Sequence, residues 1–369
     1  MVNALKNLFS NRKPGVGIEL APERINIAQL RKQGQGYKLV TLHSVEVPEG
    51  VFQEGQIVDP PQMAELISAA LAERKIKATR VATAVPGSAG AIVRIIHVPA
   101  ELDENELRDM VLNHEAGLYL PFPRDEADVD YQKLGFFTDE DGIEKVQVLL
   151  AAVRKEVTDT YIETFKQAGL AIDVLEINSF SLIRTIREQL RQFSSQEAAV
   201  LVDIEFESTE IAIIVDGVPQ FSRTVPIGMF QIQSALKRAM NLPTDRNTEV
   251  LKGITIPTAP VDTGVRSGAT GINPGMAAML RVLGELADEL RRSIDFYLNQ
   301  SSNLEVAQLL LAGPGGGIGQ LDEFFTQRLS LPTMQVDPVA ALGLEVGEDI
   351  TSVQRPGLGV VLGLGLREV

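Results

Sequence analysis

Cysteine and tryptophan are absent from the 369 residues, histidine occurs 3 times, and aromatic side chains make up only 5% of the chain. Without cysteine there is no disulfide framework, thiolate nucleophile or sulfur-ligated metal, which fits a reducing compartment. His43, His97 and His114 share no spacing, so no histidine metal site or proton relay is assigned. Long apolar runs are missing too: the stretch 146–153 falls far short of the roughly 18 residues that a membrane-spanning helix needs. No secretory leader is visible, and the expectation is a cytoplasmic protein. Positive charge is scarce: 34 Lys and Arg stand against 49 Asp and Glu, a formal charge of -15 that repels phosphate backbones and argues against nucleic acid. What is plentiful is apolar residues, at 44%, and glycine, at 31 positions, which suits an α/β chain of two or more domains.

One turn chemistry occurs twice. Val16-Gly17-Ile18-Glu19-Leu20 breaks at Ala21-Pro22-Glu23-Arg24 and resumes as an apolar strand; Val200-Leu201-Val202-Asp203-Ile204 breaks at Glu205-Phe206-Glu207-Ser208 and resumes in the same way. Each unit is a buried strand, an acid near its end, a short turn and a second strand. Later, Leu309-Leu310-Leu311-Ala312 runs into Gly313-Pro314-Gly315-Gly316-Gly317. An acid at such a position can hold Mg2+ through water, and turn N–H groups can donate to phosphate oxygens. Glu19 and Asp203 are therefore candidate magnesium ligands, with satisfaction of the turn's own amides as the alternative. The glycine run lacks the lysine of a Walker loop and the pattern of a dinucleotide fingerprint. Its glycines, Gly313, Gly315, Gly316 and Gly317, allow close approach of a base or phosphate, or else simply make a tight turn.

Between the two hairpins the pattern changes. A helix is predicted over 63–74 and a strand over 81–85; then come a strand over 91–98, a capping box at Asp103 and Glu106, a helix stopped by Pro121 and Pro123, strands over 128–135 and 145–153, and a helix over 157–168. This block reads as a compact α+β insertion, after which a strand over 172–176 and a helix over 179–191 resume the first lobe. The second lobe continues with a helix over 230–240, a Gly/Thr/Pro/Ser-rich stretch over 253–275 expected to be mobile, and a long amphipathic helix over 276–299. On that helix Glu285, Glu289 and Arg292 could face a ribose and base, or solvent. The expected units are 14–85 and 172–197 for the first-lobe core, 86–171 for the insertion, 198–227 and 304–369 for the second-lobe core, and 228–303 for its outer part. Val2, Leu5, Leu8 and Phe9 beside Lys6, Arg12 and Lys13 form either an amphipathic surface helix or a frayed leader.

The order of hairpin, insertion, helix, second hairpin, long helix and glycine turn resembles the actin, Hsp70 and hexokinase nucleotide-binding superfamily. The insertion sharpens the likeness: Tyr119-Leu120-Pro121-Phe122-Pro123 followed by Val129-Asp130-Tyr131, and Arg291-Arg292-Ser293-Ile294-Asp295-Phe296-Tyr297, are similar to the FtsA-like PilM family. That resemblance implies a two-lobed actin-like α/β fold with an α+β subdomain inserted in the first lobe, and a role in type IV pilus assembly. It implies ATP or ADP with Mg in the interlobe crevice, held by Glu19, Ala21, Glu23, Arg24, Asp203, Glu205, Ser208, Glu289, Arg292 and the glycine run. It also implies docking of the cytoplasmic N-terminal tail of PilN on Leu118, Tyr119, Leu120, Pro121, Phe122, Asp130 and Tyr131, which places the protein peripheral to the inner membrane beside PilN and PilO, with a motor ATPase or platform protein as a further neighbour. The same residues from 118 to 122 could instead be internal packing.

Two departures stand out. Pro22 removes an N–H from the first turn, and Glu23 and Glu205 put negative charge where a phosphate would sit, so triphosphate binding and hydrolysis are expected to be weak or lost. An active ATPase or kinase of the superfamily would need a catalytic acid or amide near the connecting helix, where Glu176 and Asn178 are the candidates. A filament former of the FtsA kind would need a C-terminal tether, for which Gly365-Leu366-Arg367-Glu368-Val369 leaves no room.

Overall fold

The computed structural model describes residues 15–139, 141–257, 273–300, 304–348 and 350–367; the segment 2–13 and most of the 253–275 stretch lie outside the described residues. Its strands are β1 (Val16–Leu20), β2 (Arg24–Gln33), β3 (Gly36–Glu46), β4 (Phe52–Gln53), β5 (Gln56–Ile57), β6 (Arg80–Val85), β7 (Ile92–Pro99), β8 (Ala127–Thr138), β9 (Glu144–Arg154), β10 (Ala171–Ile177), β11 (Glu197–Ile204), β12 (Thr209–Val215), β13 (Val218–Val225), β14 (Glu305–Ala312) and β15 (Thr333–Gln335). One sheet runs β10-β6-β1-β2-β3, and a second runs β15-β14-β11-β12-β13-β7-β9-β8. In each, the first five strands share one order and one sense: three parallel strands ending on a central strand, followed by an antiparallel pair. β1 and β11 hold the same place in the two blocks, so the repeated hairpin seen in the sequence is one piece of a repeated fold.

Both central strands are buried on both faces, which is why they read as unbroken apolar runs rather than alternating ones. In the first lobe Ile18, Ile25 and Ile27 pack with Met63 and Ile67 of the helix Pro60–Glu73; in the second, Val200, Val202 and Ile211 pack with Leu283, Leu286 and Leu290 of the helix Pro274–Leu298. A third cluster ties the lobes together through Leu182, Ile186, Leu201, Leu310, Val360 and Leu364. Each such buried side chain contributes roughly 1.5–3 kcal/mol relative to exposure. Glycine makes the last contact possible: a Cβ on Gly363 of the helix Gly359–Gly365 would overlap the Ser181 carbonyl of the helix Asn178–Thr185.

The middle of the chain holds two surprises. The helix Lys155–Gln167, read from the sequence as the end of the insertion, places Val157, Tyr161 and Phe165 in the first-lobe core. The insertion keeps its own core of Ile96, Val98, Leu107, Val111, Val146, Val148 and Leu150. Its strand β7 pairs with β13 through Phe221 and Arg94, so the inserted strands prolong the second lobe's sheet. The Asp103–Glu106 capping box forms as expected, and the helix passes through a π-helical stretch at Met110–Glu115 before ending at Tyr119, ahead of Pro121. The expected helix over 179–191 divides into Asn178–Thr185 and Arg187–Leu190, separated by Ile186.

Candidate functional site: the crevice between the lobes

Glu19 leaves the end of β1 opposite Asn26 of β2, whose amide donates to Glu19 Oε2 at 3.1 Å. In the second hairpin Asp203 stands opposite Glu210, acid against acid. Like charges directly across an antiparallel pair are unfavourable, and burial adds to the penalty. Burial raises the Glu19 carboxyl to about 7, against the pull of Arg24 and Asn26; burial, then Glu210 and Glu19, raises Asp203 to about 8. Glu205 is pushed well up by burial and by Asp203 and Glu19, and Glu210 is raised by burial. Neither Asp203 oxygen meets an N–H or hydroxyl donor among the described residues, and the group beside it is the Glu205 carboxyl, with which it can share a proton.

The three segments predicted to face each other do converge. Gly313, at φ +74°, lies so close beneath the second hairpin that a Cβ would sit 2.6 Å from Asp203 Oδ1, and Gly315 packs on Ile204. Glu19, Ala21, Asp203, Glu205, Ser208 and Asn178 line a narrow space of about 30 Å3 where the two turns meet, room for about two waters. Beside it opens a cavity of about 700 Å3, lined by Glu23, Arg24, Pro314 and Gly357, and also by His43, Arg74, Arg246 and Lys252. Burial pulls the Arg24 guanidinium down, but Glu23, Glu205, Glu19 and Glu249 outweigh it and hold the group firmly charged.

Other predicted residues go elsewhere. Glu176 does not face the crevice: Arg184 donates to both its oxygens at 2.7 Å, and Arg367 and Ser181 also bind it. Glu289 and Arg292 pair with each other at 2.5 Å, Glu289 also meets Arg223 at 3.1 Å, and neither lines the two cavities. Glu285 lies by a shallow hollow with Asp288 and Arg328. Gly316 and Gly317 are buried against Leu311 and Val353 and serve packing. Sequence reasoning missed Arg74, His43, Arg246 and Lys252, since no local pattern marks a cation that reaches the crevice from another element. His43 is oriented by Arg74, whose Nε donates to His43 Nδ1 at 3.0 Å.

A magnesium nucleoside triphosphate does not fit the turn junction. The 30 Å3 space holds no more than about two waters, its acids Glu19, Asp203 and Glu205 offer a phosphate no positive charge, Pro22 has no N–H to offer, and the Ala21 and Glu205 amides already donate to Arg24 and Ser208 carbonyls at 2.9 Å. Among the described residues no three His, Asp or Glu side chains are placed to hold a metal ion. The adjoining cavity has the volume of a small-molecule site, with acids and cations in balance rather than a cationic phosphate cradle.

The family model described as type IV pilus assembly protein PilM matches residues 17–259, more than half of the chain. The chain belongs to the PilM family. A solved PilM–PilN type IV pilus biogenesis complex is 26% identical to it, with a TM-score of 0.80 over 97% of this chain and 99% of that one. The ethanolamine utilization protein EutJ from Carboxydothermus hydrogenoformans matches over 99% and 96% at 15% identity and a TM-score of 0.55. MreB5 of Spiroplasma citri, a structure bound to ADP, matches over 90% and 95% at 13% identity and a TM-score of 0.49. The two-lobed fold expected from the sequence, with its repeated sheet order, is the fold of this PilM family member and is shared with the PilM of that complex. Among its described residues no helix is long and apolar enough to cross a membrane.

The second set of predicted residues, on the insertion, divides in two. Leu118 is 75% exposed, Tyr119, Pro121 and Asp130 are exposed, and Leu120 and Tyr131 are half-buried. Phe122 is buried, with the Arg154 guanidinium 4.5 Å from its ring centre, and Arg124 clamps the turn by donating to the Leu112 and Ala127 carbonyls at 2.6 and 3.0 Å. Phe122 therefore holds the loop in shape while Leu118 and Tyr119 face outward. Thr158 of the first-lobe helix donates to Asp128 of β8, and Ile162, one turn along the same helix face, is left exposed.

Proposed function

We propose that this chain is an actin-like scaffold of type IV pilus assembly that docks the cytoplasmic N-terminal tail of PilN and so lies against the PilN–PilO complex at the inner membrane. The observation that carries this reading is the full-length likeness, at a TM-score of 0.80, to a PilM held in complex with PilN. The docking surface in this proposal is the outward part of the insertion, Leu118, Tyr119 and Leu120, continued by Asp130, Tyr131 and the exposed Ile162. Apolar side chains there offset the ordering of a flexible tail, and the acids Asp125 and Asp130 match a tail that carries basic residues. Nucleotide turnover has little part in this reading, because the junction of the two turns favours neither a triphosphate nor magnesium, and Glu176 is locked away from it.

Binding of a synthetic PilN cytoplasmic tail to the purified chain, read by fluorescence anisotropy, tests the proposal. Leu118→Asp is expected to weaken binding at least about tenfold while leaving the melting temperature unchanged, since the side chain is three-quarters exposed. Undiminished binding by Leu118→Asp and Leu120→Asp together would refute the assigned surface.

A further inference from the structure

Around the turns, side chains bridge the two lobes directly. Arg246 reaches over from the second lobe and donates Nη2 to the Pro22 carbonyl at 2.5 Å, with its guanidinium 5.5 Å from the centre of the Phe206 ring. One side chain thus touches both turns at once. Arg24, buried at the same place, stands among Glu23, Glu205, Glu19 and Glu249, drawn from both lobes. Farther along the seam Glu207 accepts the Glu54 amide at 2.9 Å. On the far side Arg94 of β7 donates to the Ser222 carbonyl at 3.2 Å and lies 5.3 Å from the Phe221 ring centre, where the insertion joins the second lobe's sheet. Gly87 fits between these straps with Glu210 and Thr224 so near that a Cβ would be 3.0 and 2.5 Å from their oxygens.

We propose that the two lobes are held shut by these side chains, Arg246 and Arg24 above all, in place of a magnesium nucleotide, so that lobe closure is independent of nucleotide. The buried acids and backbone carbonyls of the two turns outnumber the donors there, so closure needs a donor or a cation between them. A guanidinium carried on the chain meets that need at every ligand concentration, and its planar donors serve a carbonyl and an aromatic face together. The partner's tail then meets a surface of fixed shape rather than one gated by nucleotide binding. This inference rests on the misfit at the turns and not on the docking surface.

The test is amide hydrogen exchange on the full chain, with small-angle scattering and thermal melting alongside, in magnesium alone and in magnesium with millimolar ATP or ADP. The expected result is that nucleotide changes neither the radius of gyration, the melting temperature nor the exchange of residues 19–24 and 203–209. Arg246→Ala should speed exchange in those two segments about tenfold and enlarge the scattering radius, since removing one charge-assisted bond shifts an opening equilibrium by that order. Arg94→Ala, at the other end of the seam, should do the same and serves should Arg246→Ala fold poorly. Protection of the turns and a raised melting temperature with ATP and magnesium would overturn the proposal, as would exchange in both variants equal to that of the parent. PilN-tail binding is read separately, so loss of one reading leaves the other standing.

Discussion

Asp203→Asn is expected to stabilise this protein, against the usual expectation for a buried acid at a crevice. Asp203 is 3% exposed, neither of its oxygens meets an N–H or hydroxyl donor among the described residues, and it faces Glu210 across the ladder. Its carboxyl holds a proton up to about pH 8, whereas in the unfolded chain it releases it near 3.8. Below 3.8 the group is protonated in both states and has no effect. As the pH rises from 3.8 to about 8 the unfolded chain gains the advantage of ionising first, so stability falls through that window and levels off above it. At pH 7 the opposition to folding reaches roughly 4 kcal/mol, and about half of that where Glu19 and Glu205 share the proton. Asparagine keeps the shape, carries no charge and can donate to Glu205, which recreates the acid–amide pair that Glu19 and Asn26 already form in the first hairpin. The variant should therefore melt about 3–5 °C higher at pH 7 in a chain of this length. The decisive assay is differential scanning fluorimetry from pH 5 to 9: the gap between variant and parent must widen as the pH rises to about 8 and level off above it. A variant that melts at or below the parent at every pH, or a gap independent of pH, would refute the reading of Asp203 as an unpartnered, proton-holding acid.

Other perturbations probe the frame around the crevice. Glu176→Gln should destabilise by roughly 3 kcal/mol in urea unfolding, because it leaves Arg184 and Arg367 without their carboxylate. Burial would raise that acid, but Arg184, Ser181 and Arg367 outweigh it and hold it below its ordinary 4.5, so the parent should lose this contribution only as the pH falls through the lowered value, and the variant should show no such step. Gly363→Ala should lower stability by about 2 kcal/mol or more, since its methyl meets the Ser181 backbone, whereas Gly284→Ala, with open space around it on the long helix, should raise stability by about 1 kcal/mol. Equal melting shifts for the two glycine variants would undo the claim that close packing of the helix Gly359–Gly365 explains its glycines.

Much of the frame could be read locally, because strand burial, turn chemistry and helix caps are written within a few residues. The two hairpins, the capping box at Asp103, the stop at Pro121 and the strand running into Gly313 all formed where their patterns lie. Charged helix positions misled: Glu289 and Arg292 sit at a spacing equally suited to a ligand or to each other, and they took each other and Arg223. Tyr119 and Phe122 belong to one short motif, yet one faces water and the other is buried under Arg154.

By itself the sequence determined that there would be two copies of an acid-ended hairpin, an insertion between them and turns poorly made for phosphate, since proline, glycine and carboxylates act through local sterics and charge. Only the tertiary structure decided that Arg246 would close on Pro22, that β7 would join β13, and that Glu176 would be claimed by Arg184 and Arg367. Those pairings join residues far apart in the chain, and which distant partner a charged or edge group finds depends on how the packed lobes bring the backbones together, a quantity no local pattern encodes.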